Sequence, residues 1–139
     1  MTRQQLVDVA LAHAAAEANG NLEATLATLE PDPVYELQPA GLVLRGMDNA
    51  RAYYEYFFPN FLPTVESYEV RAEWVNDVGV AQEYVINVRP PDTQTVESHH
   101  LIGILVFGTT ALAGERLYGS ERIFRLLFGR VYDLAVPAS

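Results

Sequence analysis

From residue 66 onward, four runs of alternating apolar and polar residues follow one another with only turn-forming clusters between them. The runs are 66–75 (ESYEVRAEWV), 78–88 (VGVAQEYVINV), 96–107 (VESHHLIGILVF) and 112–119 (LAGERLYG). Asn76-Asp77, Pro90-Pro91-Asp92 and Gly108-Thr109-Thr110 separate them. Period-two alternation is the signature of strands. Connections this short join neighbouring strands antiparallel, because a parallel crossover needs a dozen or more residues. The second half of the chain is therefore read as a four-stranded meander, and one of its faces must be covered.

The first half supplies the cover. Residues 3–19 place Leu6, Val9, Ala10, His13 and Ala16 on one helical stripe, and Asn19-Gly20 is a helix stop. Asn21 can cap a second, short helix carrying Leu22, Leu26 and Leu29, which Pro31 and Pro33 end. Val34–Gln38 alternates as a strand, Pro39-Ala40-Gly41 is a turn, and Leu42-Val43-Leu44 is an extended return. A third helix follows Gly46, with Asp48 as its cap and Pro59 as its end or kink. Ser120 caps a last helix over IFRLLF, which Gly129 stops. Helix, helix, strand, helix, meander is an α+β order, with helices on one face of a curved sheet. Such a sheet closes into a cone, and the interior of a cone is the natural ligand site.

Composition narrows the chemistry. The 139 residues suit one domain and are half apolar, enough for one core. Nine basic residues face 18 acidic ones, and a net charge of −9 repels nucleic acid and anionic membrane alike. The chain has no cysteine, which removes thiol nucleophiles and thiolate metal sites. All nine basic residues are arginine, so no lysine can form a Schiff base. Glycine-rich phosphate loops are missing too. His99 and His100, adjacent in a strand, point to opposite faces and cannot share a metal. No cofactor and no metal are expected. Acidic residues interrupt the apolar stripe of the first 21 residues, unlike a signal peptide or spanning helix, so the cytoplasm is the expected location.

The stretches ALAHAAAEANGNLEATLATLEPDPVYELQPAG and RGMDNARAYYEYFFPNF, followed by ILVFGTTALAGERLYGSERIFRLLFG, resemble the SnoaL-like branch of the nuclear transport factor 2-like superfamily. The likeness lies in the order of the features and spans nearly all of residues 1–139. It implies a cystatin-like α+β cone, a curved antiparallel sheet on three N-terminal helices with a short C-terminal helix. It also implies a homodimer. Members include ketosteroid isomerases, polyketide cyclases, dehydratases, epoxide hydrolases and non-catalytic binders, so function rests on the site. Against the ketosteroid isomerase pattern, the first-helix Tyr falls on His13, the first-strand Asp on Leu37 or Gln38, and the late Asp near Gly103. The acid of a terminal Tyr-x-Asp is replaced in Tyr118-Gly119-Ser120.

The candidate catalytic residues are His13, His99, His100, Glu115 and Tyr118. His13 lies on an apolar stripe, where burial would keep the imidazole neutral as a base or hydrogen-bond donor. Whichever of His99 and His100 faces inward is an acid–base candidate; His99 shares a face with Leu101 and Leu105, His100 with Ile102 and Ile104. Both faces are apolar, so one should pack on helices and the other on a partner subunit. A two-residue Thr109-Thr110 turn would set Glu115 opposite Ile104 and Tyr118 opposite Leu101, sending Tyr118 to the His99 face and Glu115 to the His100 face. Ligand-facing candidates are Tyr35, Tyr84 and the aromatic run including Tyr54, Phe57, Phe58 and Phe61, with Trp74 packing among them. Arg45, Arg51 and Arg71 read as solvated.

Three functions fit. The first is a cofactor-independent isomerase, cyclase, dehydratase or hydrolase acting on a small apolar molecule by His/Tyr acid–base chemistry. The second is a non-catalytic ligand binder whose few polar groups are already paired. The third is a dimerisation module with its cavity filled by its own side chains.

Overall fold

A computed structural model describes residues 1–138. Helix α1 spans Arg3–Ala18, capped by Thr2, whose hydroxyl accepts from Gln5 N–H while the Gln5 side chain returns to the Thr2 N–H. Asn21 caps α2 (Leu22–Leu26) through a 3.1 Å bond from Ala24 N–H. Strands β1 (Leu29–Gln38) and β2 (Leu42–Arg45) precede α3 (Met47–Tyr56). Strands β3 (Val65–Val75), β4 (Gly79–Val88), β5 (Glu97–Phe107) and β6 (Leu112–Tyr118) form the meander. Helix α4 (Glu121–Phe128), capped by Ser120 and stopped at Gly129, and β7 (Val136–Pro137) complete the chain. No helix is long and apolar enough to cross a membrane.

The sheet runs β3-β4-β5-β6-β1-β2-β7. Every adjacent pair is antiparallel except β1 with β6, which are parallel. The first strand thus joins the meander from its far side, and the α1–α3 block closes one face of the sheet. The core behind that face joins Tyr35 and Leu37 of β1 to Tyr53, Tyr54 and Phe57 and to Ile123, Phe124 and Phe128 of α4.

Two local expectations need correction. Leu29 belongs to β1, which begins there and runs through Pro31 and Pro33. These prolines bulge the strand between the Leu29↔Leu112 and Val34↔Gly114 pairs, and the second helix has already ended at Leu26. Asp48 sits in the first turn of α3; the cap is Gly46, at φ 92°, and makes no side-chain cap bond. Pro59 distorts the helix as expected: past Tyr56 its missing N–H leaves a π-helical turn over Phe57–Phe61, then a 3₁₀ turn over Leu62–Thr64.

Candidate functional site

Between α1, the aromatic turn after α3 and the inner face of β3–β6 lies a cavity of about 440 Å³, within the range of small-molecule sites. Its walls are mostly apolar and aromatic, including Tyr53, Phe57, Phe61, Tyr84, Leu105 and Leu127. Its ionisable acid and imidazole groups gather at His13, Glu17 and Glu115.

His13 is 1% exposed and is held on both ring nitrogens. Thr28 donates its hydroxyl proton to Thr25 C=O at 2.6 Å, so toward His13 Nδ1, 2.7 Å away, the same oxygen accepts. The Nδ1–H is thereby fixed, and Nε2 faces the cavity groups. Nε2 lies 3.0 Å from Glu17 Oε2, 3.4 Å from Glu115 Oε2 and 3.3 Å from the Tyr54 hydroxyl. Tyr54 donates to Glu115 Oε2 at 3.0 Å, which makes Tyr35 the donor in the 2.6 Å Tyr35–Tyr54 bond. A relay therefore runs from Tyr35 through Tyr54 to Glu115 and His13.

The electrostatics reverse the expectation of a neutral His13. Burial pulls the imidazole pKa down, but hydrogen bonds to Glu115 and Glu17, together with their charges, lift it to about 10. His13 is an imidazolium at neutral pH. Burial pushes the Glu17 carboxyl above its ordinary value against the pull of His13, and the charge of Glu115 adds to the rise. Burial also raises Tyr35, Tyr53, Tyr54 and Tyr84, keeping their hydroxyls protonated. An imidazolium between two carboxylates, one with a raised pKa and partly open to the cavity, can both take and return a proton.

Of the catalytic candidates, His13 and Glu115 reach this site. Glu115 arrives by a route that the simple turn misses. Phe107 pairs with Leu112 as a two-residue turn requires, but Val106 pairs with Gly114, leaving Ala113 as a bulge. The extra residue moves the register by one, so Glu115 faces Leu105 inside and Tyr118 faces Ile102 outside. Tyr118 is 43% exposed on the outer face and is no part of the site. His100 is exposed on that face as well. His99 points inward by parity but away from the cavity, 2.9 Å from Glu97, which the Arg122 guanidinium holds down at about 2. Trp74 is 55% exposed: after a bulge between Val70 and Ala72 it pairs with Ala81 on the outer face. Phe57, Phe61 and Tyr84 line the cavity as expected. Tyr54 and Tyr35 stand behind the wall in the relay, and Phe58 stacks on Tyr54, 5.6 Å between ring centres.

Tyr53, which opens the aromatic run, lines the cavity too, while Glu17 and Gln82 are site residues that the sequence reading did not single out. The signal for Glu17 was its i,i+4 spacing from His13, which puts both on one helix face. His13, Glu17 and Glu115 are also the one group among the described residues whose donor atoms, within 4.8 Å of one another, could hold a metal ion. Their mutual bonds already satisfy the facing atoms.

No family model matches the sequence, and no curated protein matches it either. Solved structures do. A nuclear transport factor 2-like protein of unknown function from Burkholderia xenovorans is 20% identical, with 84% of each chain covered and a TM-score of 0.63. One from Cytophaga hutchinsonii is 16% identical over 89% of this chain and 95% of the other, at a TM-score of 0.64. A hypothetical protein of ketosteroid isomerase-like fold from Catenulispora acidiphila, in complex with trimethylamine, is 15% identical over 87% and 92%, at 0.63. At these identities the likeness is one of architecture: the chain has the nuclear transport factor 2-like, ketosteroid isomerase-like fold.

Proposed function

We propose that this chain is a SnoaL-like, cofactor-independent enzyme of isomerase, cyclase, dehydratase or hydrolase type, acting on a small molecule with an apolar body. One observation carries the reading: a charged His13 held between Glu17 and Glu115 in a cavity otherwise walled mostly by apolar and aromatic side chains. Glu17, the more open carboxylate, takes the substrate proton. The His13 imidazolium returns it or stabilises the anion left behind. Tyr84 lines the cavity without a hydrogen-bond partner among the described residues, so its hydroxyl can stabilise a developing oxyanion. The open volume argues against a dimerisation module that fills its own cavity. A structure of this fold that holds trimethylamine is a precedent for small-molecule occupancy.

The test is native mass spectrometry of protein from its host, to identify a retained molecule, followed by NMR of that molecule in D₂O with the protein. Deuterium should enter the ligand, and Glu17→Gln should slow this by about 10²-fold or more. A retained ligand that neither exchanges nor turns over, with or without Glu17, would favour the non-catalytic binder. That second reading has its own support, since the polar groups of the site are largely paired with one another.

The outer face of the sheet completes the proposal as a homodimer surface. Trp74, Ala81, Ile104 and Arg116 form one cross-strand row, and Ala72, Glu83, Ile102 and Tyr118 the next. Arg116 is already paired with Glu36 of β1 at 2.9 Å, so the apolar side chains of Trp74, Ile102, Ile104 and Tyr118 are what a second copy, turned by a two-fold, would cover. Sedimentation should give a dimer, and Ile102→Arg should give a folded monomer. A wild-type monomer at about 100 μM would remove the proposal.

A further inference from the structure

The cavity carries more negative charge than its own cation balances. Two carboxylates, Glu17 and Glu115, face one imidazole; none of the nine arginines lines the cavity, and the chain has no lysine. With His13 charged, one negative charge is left over in apolar surroundings, where an unmatched charge is costly. A proton on Glu17 relieves this, and burial, with the charge of Glu115 adding to it, raises the proton affinity of that carboxyl. A ligand cation would relieve it as well.

The walls suit a cation. Tyr53, Tyr84, Phe57 and Phe61 present aromatic surface to the cavity, and ring faces attract ammonium groups. Tyr53 is only 4% exposed, yet its hydroxyl, like that of Tyr84, makes no hydrogen bond among the described residues. No fully enclosed side-chain polar atom among the described residues lacks a partner, so both hydroxyls open onto the cavity, where they can accept from an N–H. An anionic ligand would meet Glu17 and Glu115 with no arginine to answer it.

We propose that the ligand of this cavity is a cation, a protonated amine or quaternary ammonium on an apolar body, with its charged nitrogen seated against Glu17 and the Tyr53 and Tyr84 side chains. The inference rests on the small-molecule reading above and names the substrate class for that site.

Matched pairs test it. Choline with its neutral isostere 3,3-dimethylbutan-1-ol, and cyclohexylmethylamine with cyclohexylmethanol, are titrated into EDTA-dialysed dimer or monomer, as found, by calorimetry at pH 7.5. The cation of each pair should bind at least about tenfold tighter than its neutral partner, and Glu17→Gln should bring the two within about threefold. Tyr84→Phe, which keeps the ring, should weaken the primary amine more than choline, which has no N–H to donate. Equal binding within each pair overturns the cation inference and leaves the apolar-ligand reading standing. Binding by neither cation also overturns it, and the deuterium exchange above then decides the fate of the enzymatic reading separately. Zn²⁺ or Mn²⁺ that stabilises the protein and abolishes the preference for cations would assign the excess charge to a metal and overturn it too.

Discussion

His13→Gln should lower folding stability at pH 7.5 by about 3–5 kcal/mol, the usual cost of removing one partner from a buried ion pair. The imidazolium is the single positive group lining the cavity, 3.0 Å from Glu17 and 3.4 Å from Glu115. Glutamine keeps a polar side chain for Thr28 but no charge, so two carboxylates remain side by side in an apolar wall. The loss should depend on pH. In the natural protein His13 has its pKa raised from 6.5 to about 10, so its contribution is full below 6.5 and fades as pH climbs through about 10. Glu17, also raised, contributes in the same sense: its share is full below its ordinary 4.5 and is lost as pH rises through its folded value. The natural protein should therefore weaken on the alkaline side. In His13→Gln the imidazole share is gone, so in urea melts the part of the gap that it causes between the variant and the natural protein should be widest below pH 6.5 and narrow as pH climbs toward 10. Glu17→Gln added to His13→Gln should restore much of the loss, a coupling that a double-mutant cycle reads directly. A loss under about 1 kcal/mol with no pH dependence would mean that the imidazole is not charged in the fold.

The elements were legible because their signals are local. Alternation and turn clusters set the four strands of the meander, and side-chain oxygens at Asn21 and Ser120 set two helix starts. The site was only half legible, and for identifiable reasons. Glu17 looks, in one dimension, like an acid that spoils an apolar stripe. It belongs to that stripe because His13 lies one turn before it and supplies the charge that makes its burial tolerable. Two carboxylates from different elements converge on one ring, and no local pattern announces that Glu115 and Glu17 will meet; this is also why His13 reads as neutral when taken alone. Trp74 and Tyr118 were lost to bulges, each of which turns the rest of its strand over. Where a strand contains a mid-run glycine, as β6 does at Gly114, parity beyond it should not be carried through.

That glycine holds the second large effect. Gly114 sits at φ 142°, and a β-carbon there would lie 1.9 Å from the carbonyl oxygen of Val34. Two costs therefore act together in Gly114→Ala: backbone strain of roughly 1–3 kcal/mol and a clash with neighbouring backbone that adds roughly 1–3 more. Val34 cannot yield easily, because β1 is paired on its other side with β2, Val34 to Arg45. The parallel β1–β6 contact must open, or the bulge must slide. A slide by one residue would carry Glu115 from the Leu105 face to the outer face and strip His13 of one carboxylate. Loss of stability in a urea melt should thus come with a fall in the His13 pKa from about 10, followed by NMR of the ring nitrogens. The two readouts separate a merely strained strand from a moved one: strain alone lowers the melt and leaves His13 titrating as before. A Gly114→Ala protein with natural stability and a natural His13 titration would mean that Ala113 does not form the bulge that brings Glu115 inside.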